Sequence, residues 1–264
     1  MVPARTTEVI RSGGERRIHI TKVAGSISAA FTNKYLMGQV EEGGGSIPTG
    51  RTMKSLHIDK TKTALVVIDL QKGIVERPGA EPYEASSVVT NAAQLADAFR
   101  KNGMPVFLVR VTPSADLKDG LHPEVDALIE RRQTTPDQSE IVPEIGPKEG
   151  DFVITKRQWG AFYGTELDLQ LRRREITTIV LCGISTNIGV ESTARDAYER
   201  GYHQIFAEDA MTARSKEGHN ATVNLIFPRI GRVRSTEEIL KKLSTNHSER
   251  SKGSHKQNDS ITFQ

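Results

Sequence analysis

The stretch VLCGISTNIGVESTARDAYERGY, Val180 to Tyr202, decides the fold. The apolar run that begins at Thr177 and closes at Cys182 reads as a strand buried on both faces, and Asn187 to Arg200 reads as an amphipathic helix stopped by Gly201. Gly183 supplies the turn between them. A buried strand that turns through glycine into a helix is the opening of a crossover, and crossovers join parallel strands.

The same alternation runs outward in both directions. Upstream, Thr63 to Ile68 (TALVVI) and Val106 to Val111 are strands on either side of a helix at Ala85 to Lys101, where Val88, Ala92, Leu95, Ala96 and Phe99 share one face. A long connection containing Pro and Asp follows, with a short helix around Glu124 to Arg131, and Phe152 to Thr155 is a third strand. Leu167 to Arg174 is then a helix. Downstream of Tyr202, Gln204 to Glu208 is a strand, Ser215 to Phe227 a helix, Gly231 to Val233 a short strand and Thr236 to Leu240 a last helix. This pattern predicts a three-layer, doubly wound α/β domain of Rossmann-like kind: a mostly parallel sheet of five to six strands flanked by helices, without internal repeats.

The 264 residues suit one such domain with chain to spare. Residues 1–60 are rich in Gly, Ser, Thr and charge and read as a disordered extension; 61–240 form the domain; 241–264 read as a disordered tail. The formal charge of +3 arises at the ends: residues 1–60 carry nine basic against five acidic groups and 241–264 five against two, while 61–240 carry 22 against 26. A mildly acidic middle without clustered Lys and Arg excludes nucleic acid as a partner. The longest apolar run, Ala64 to Ile68, is far short of the roughly twenty residues that span a bilayer, so no membrane is expected. A single cysteine, Cys182, excludes a disulfide scaffold and points to a reducing, cytoplasmic setting. Inside an apolar run it reads as an inert, buried thiol.

Ligands of doubly wound sheets sit beyond the carboxyl ends of the strands, so polar residues there are the candidates. Asp69 ends the first strand, where partial desolvation would raise its pKa and suit it to proton transfer, although an aspartate at a strand end also serves as a cap. Gln71 follows, placed to hold that carboxylate or a ligand amide. Lys156 ends the third strand and could orient Asp69 or simply lie in solvent. Cys182 to Val190 offers backbone N–H groups at a helix start as an anion cradle. Gly183 to Asn187 lacks the last glycine of a serine-hydrolase elbow, which argues against Ser185 as a nucleophile. Asp69 to Gly73 lacks a dinucleotide fingerprint. Trp159, Phe162 and Tyr163 could wall a pocket or pack beneath a loop.

Three blocks, VVIDLQKG at Val66 to Gly73, ITKRQWGAFYGTELDLQLR at Ile154 to Arg172 and the stretch quoted first, together resemble the isochorismatase-like (cysteine hydrolase) superfamily, which includes nicotinamidases. The likeness runs from about Thr61 to Leu240 and closes on IFPRIGRVRSTEEIL at Ile226 to Leu240. It implies an aspartate and lysine pair, matched by Asp69 and Lys156, a non-proline cis peptide at Ile184-Ser185, and a nucleophilic cysteine. The family pattern G-x-x-T-x-x-C-V reads Gly183-Ile184-Ser185-Thr186-Asn187-Ile188-Gly189-Val190, so the cysteine position falls on Gly189. Glycine offers no atom for a covalent intermediate.

Isochorismatases also carry glycine at this position. The resemblance thus implies a hydrolase in which protonated Asp69 is the general acid, Lys156 sets its position and pKa, Gly189 leaves room for substrate or water, and the Ser185 and Gly189 amides hold an anion. Ile184, Ser185, Gln71, Trp159 and Phe162 are the expected substrate contacts. The aromatic-Ala-His stretch of isochorismatases is replaced by Ser185-Thr186-Asn187, so the small-molecule substrate is expected to differ. The Asp/His metal cluster of nicotinamidases has no counterpart in Val111 to Asp116, and His122 reads as a loop residue, so neither metal nor cofactor is expected. A homo-oligomer is implied. The other reading is a catalytically silent member that binds a small molecule or assembles with partners.

Overall fold

The computed structural model describes residues 7–8, 20–21, 55–121, 123–126, 135 and 137–250, with side chains from 55 to 244 within those ranges. Two compact units divide the chain, Met1–Met53 and Lys54–Gln264. In the first, β1 (Thr7–Glu8) pairs antiparallel with β2 (Ile20–Thr21).

The second unit is a three-layer α/β domain. Its six-stranded sheet contains β3 (Thr63–Ile68), β4 (Val106–Val111), β5 (Phe152–Lys156), β6 (Thr178–Ile184), β7 (His203–Thr212) and β8 (Arg232–Arg234). The order is β5-β4-β3-β6-β7-β8 and every neighbouring pair is parallel. All six residues of β3 are buried because helices cover both faces. Leu65 and Val67 join a core with α2 (Ala85–Lys101) and α7 (Thr236–Arg250), whereas Ala64, Val66 and Ile68 join one with α3 (Leu167–Arg173), α4 (Glu191–Glu199) and α6 (Phe227–Ile230). The period-two alternation of a strand thus divides one apolar run between two cores.

The chain starts in the middle of the sheet, builds outward to β5, then returns to β6 and builds the other way. The reversal lies between β3 and β6, and in a doubly wound sheet the carboxyl ends of the two strands flanking such a reversal are where loops diverge and ligands bind. At this seam Ile68 pairs with Gly183, whose φ is +122° and whose added Cβ would stand 2.0 Å from the Ile68 carbonyl oxygen. Only glycine fits there.

Several elements differ from the sequence expectation. The helix expected from Asn187 begins as a π-helical turn, Thr186–Val190, before α4, with the Val190 N–H reaching the Ser185 carbonyl five residues back. The helix expected at Ser215 to Phe227 runs as α5 (Lys216–Ala221), a second π turn (Thr222–Ile226) and α6. β7 continues to Thr212 because, past an irregularity in its pairing, Met211 and Thr212 pair with Gly183 and Ile184. A one-turn helix, α1 (Lys72–Val75), follows β3.

Packed structure continues past both ends of residues 61–240. Leu56 and Ile58 are buried in the core beside α2 and α7. α7 passes Leu240 and buries Leu243, whose carbonyl accepts a 2.6 Å hydrogen bond from Lys60 Nζ. Single hydrophobes in polar surroundings carry too little periodicity to mark an element, yet each packs once the sheet is present. The rest of the expected leader and tail, and most of the helix expected at Glu124 to Arg131, lie outside the described residues. No helix among those described is long and apolar enough to cross a membrane.

Candidate functional site

Three of the expected residues meet at the seam. Asp69 leaves β3 with φ +53° and its N–H bonded to the Val109 carbonyl at 2.9 Å, which turns its carboxylate back under the crevice. Lys156, the last residue of β5, reaches across β4 and places Nζ 2.8 Å from Asp69 Oδ2. Nζ also donates to the Trp159 carbonyl at 2.6 Å, which fixes it from the far side. Asp69 is 6% exposed and Lys156 1%. Gly189, in the π turn after β6, faces this pair: a Cβ built on it would stand 3.1 Å from Asp69 Oδ2, 3.2 Å from Ile68 Cγ2 and 3.3 Å from Lys156 Nζ.

Burial pushes the Asp69 carboxyl from the ordinary 3.8 up to about 6, against the opposing pull of the Lys156 ammonium. Desolvation penalises the charged form more than one cation repays, because the pair lies where water cannot solvate it. Asp69 Oδ1 is buried without a hydrogen-bond partner among the described residues, so the two carboxyl oxygens are unequal. Oδ2 is held by Lys156, and Oδ1 is the oxygen available to carry a proton.

The turn that presents Gly189 is held on both sides. Thr193 Oγ1 donates to the Gly189 carbonyl at 2.7 Å. Thr186, which opens the turn, is fully buried and hydrogen-bonded to His219 Nδ1 at 2.9 Å. Ser185 precedes the turn in extended conformation, half-buried, after a cis peptide bond from Ile184.

Other expected contacts sit elsewhere. The Gln71 amide is fully engaged with backbone: its Oε1 accepts from the Val111 N–H at 2.8 Å, and its Nε2 donates to the Val111 carbonyl at 2.9 Å and the Gln138 carbonyl at 3.3 Å. It locks the end of β4 and leaves no amide group for a ligand. Phe162 belongs to the core, stacked on Tyr202 with ring centres 5.7 Å apart. The Ile184 side chain packs into the core on the opposite sheet face from Val190. Trp159 contributes its carbonyl to Lys156, while its side chain is 63% exposed, and Tyr163 is 77% exposed. Cys182 is buried, and desolvation raises its thiol to about 12. His122 lies outside the described residues, among which no group of three or more His, Cys, Asp and Glu is placed to hold a metal ion.

The buried group that sequence reasoning missed is His219. It is surrounded by Ser215, Lys216, Glu217, Gly218 and Asn220, and that polar run conceals a side chain only 1% exposed. A capping signal was legible, since the Ser215 hydroxyl accepts from the Gly218 N–H and so starts α5, but nothing local names the partners of the ring.

A family model described as the isochorismatase domain matches residues 63–238. The uncharacterized isochorismatase family protein YwoC of Bacillus subtilis (strain 168) is 54% identical over 194 residues, 72% of this chain and 99% of its own. The uncharacterized isochorismatase family protein YecD of Escherichia coli O157:H7 is 54% identical over 196 residues, 71% of this chain and all of its own. The solved structure of an isochorismatase family protein from Burkholderia thailandensis shares the fold at a TM-score of 0.69 and 42% identity, covering 72% of this chain and 98% of that one.

Proposed function

This chain belongs to the isochorismatase family, and on that premise we propose that it hydrolyses a small organic molecule, a vinyl ether or a related compound, by Asp69 and Lys156 acid–base chemistry without a covalent enzyme intermediate. The observation that carries this reading is the Asp69 carboxyl, buried, raised to about 6 and with one oxygen unpartnered among the described residues, beside a residue that has no side chain. Such a group holds a proton at mildly acid pH and releases it at little cost near neutrality, as a general acid requires.

Asp69 delivers that proton to the terminal carbon of the enol ether, and the electrons of the double bond form the new C–H bond. The resulting oxocarbenium ion adds water, whose extra proton returns to the Asp69 carboxylate. The hemiketal then breaks its bond to the leaving oxygen while its hydroxyl proton passes to that oxygen, giving a ketone and an alcohol. Lys156 stabilises the carboxylate formed when the proton leaves and holds it in place for the return. With no side chain at 189, where a Cβ would already press to within 3.1–3.3 Å of Asp69 and Lys156, the proposal keeps that face of the pair clear for substrate, and the Ser185 and Gly189 amides are the proposed cradle for a substrate anion.

Relatives of lower identity carry names for two chemistries: the probable isochorismatase of Pseudomonas chlororaphis at 28%, and the ureidoacrylate amidohydrolase RutB of Methylobacterium radiotolerans at 29%. An amide route through an acyl-enzyme needs a nucleophilic atom that Gly189 does not have, which supports the first chemistry. A cytoplasmic setting and a homo-oligomer belong to the same proposal.

The test is a panel of vinyl ethers, amides and carbamates with the purified protein and its Asp69→Asn and Lys156→Ala variants. Vinyl-ether hydrolysis that falls by about 100- to 10,000-fold in Asp69→Asn is the expected result. Turnover that survives both substitutions overturns the site, and silence across the panel supports a non-catalytic binding protein instead.

A further inference from the structure

Among the buried ionisable groups that the mechanism leaves unused, His219 is the one linked by a hydrogen bond to the turn that carries Gly189, and its surroundings are built. Nδ1 hydrogen-bonds Thr186 Oγ1 at 2.9 Å. Nε2 is buried without a hydrogen bond among the described residues, with Glu208 Oε1 at 3.5 Å. That carboxylate accepts a 2.6 Å hydrogen bond from the Tyr83 hydroxyl, and the Tyr83 ring meets the imidazole edge-on at 5.8 Å between centres. Tyr83 is itself held, since its carbonyl accepts from Thr212 Oγ1 at 2.8 Å. Hydroxyl, imidazole and carboxylate are thus arranged in series, but Thr186 is fully buried and cannot reach a substrate, which excludes it as a nucleophile.

What the series can do is hold the turn. Thr186 opens the π turn that contains Gly189, and just beyond the turn Thr222 Oγ1, from the residue that follows the His219-bearing helix, donates to Glu191 Oε2 at the start of α4 at 2.5 Å. A π turn with its first residue unanchored is free to relax toward ordinary helical pairing, and this would rotate residue 189 relative to Asp69 and Lys156. We propose that His219 is a positioning residue of the active site, which through Thr186 holds the Thr186–Val190 turn so that position 189 faces the Asp69–Lys156 pair. This role rests on the site reading given above.

The test needs no substrate. Gly189→Cys installs a thiol beside Asp69 and Lys156, and its rate of alkylation by iodoacetamide against pH, followed by mass spectrometry of the peptide, reports that charged environment. The expected profile departs from the free-thiol midpoint of about 8.5. Adding His219→Ala is expected to move the midpoint back toward that value by about half a unit or more. His219→Asn, whose amide reaches the Nδ1 position, is expected to restore it. Thr186→Val removes the same hydrogen bond while leaving the ring in place, and is expected to reproduce the His219→Ala shift even if that variant folds poorly. An unchanged profile in Thr186→Val, or in folded His219→Ala, overturns the proposal and leaves His219 as core filling. A Gly189→Cys thiol that never reacts in folded protein overturns the reading of the site itself, and the role of His219 with it.

Discussion

At the residue scale the behaviour of the site follows from one carboxyl. The folded-state pKa of Asp69 lies above its unfolded value, so between about pH 4 and 6 the native protein binds more protons than the unfolded chain. The contribution of this group to stability is therefore present in full below about pH 4 and is lost as pH rises through 6. Urea midpoints of the wild type and of Asp69→Asn are expected to converge or cross over that interval, with the wild type losing ground as pH rises; parallel lines from pH 4 to 7 would contradict the raised value. For catalysis the sign is the same but the readout differs. A general acid works while protonated, so kcat/KM for an active substrate is expected to decline above about pH 6, whereas a profile rising through that pH would mark Asp69 as a base.

Asp69, Lys156 and Gly189 were legible because each stands where an apolar run stops or where a family pattern has a fixed place. Gln71 and Phe162 were placed in the right loops but given the wrong partners, since a side-chain amide that completes the end of a strand and a ring that stacks in a core leave no trace in spacing. His219 was illegible for a related reason: its hydrogen-bond partner Thr186 is 33 residues away, and Glu208 and Tyr83 belong to other elements.

At the scale of elements the tightest constraint is the β3–β6 seam. A side chain at Gly183 would overlap the Ile68 carbonyl, and its backbone conformation disfavours any residue with a Cβ, so Gly183→Ala is expected to cost about 4 kcal/mol or more, or to prevent folding. Chemical denaturation checks this, and a loss under about 1 kcal/mol would mean that the seam relaxes. β3, β4 and α2 have the bounds their periodicities predict, because apolar spacing fixes an element when packing and propensity agree. Where they part, the sequence falls short. The first π turn is held by the Thr193 hydroxyl and by the contact of Thr186 with His219, and the length of α7 depends on Leu243 finding the Leu56 and Ile58 side of the core. Leu243→Ala is accordingly expected to lower stability by about 2 to 5 kcal/mol by urea denaturation, the cost of emptying a core position, whereas a residue in a disordered tail would show no change.

At the scale of the whole molecule, the sheet order explains why residues so far apart in sequence share one crevice: the chain starts centrally, winds outward twice, and brings the ends of β3, β5 and β6 to the same edge. The family resemblance predicts self-association, and light scattering is expected to give a mass at a multiple of 29.1 kDa, with a monomer contradicting it. The proposed chemistry depends most on a proton residing on Asp69. A carbon-13 NMR titration of that carboxyl, in the wild type and in Lys156→Met, is the direct measurement. The structure predicts a midpoint of about 6 in the wild type and a higher one in Lys156→Met, where the lowering influence of the ammonium is gone. A wild-type midpoint near 3.8 or below would show a carboxylate ionised throughout the working range, and the general-acid mechanism would fall with it.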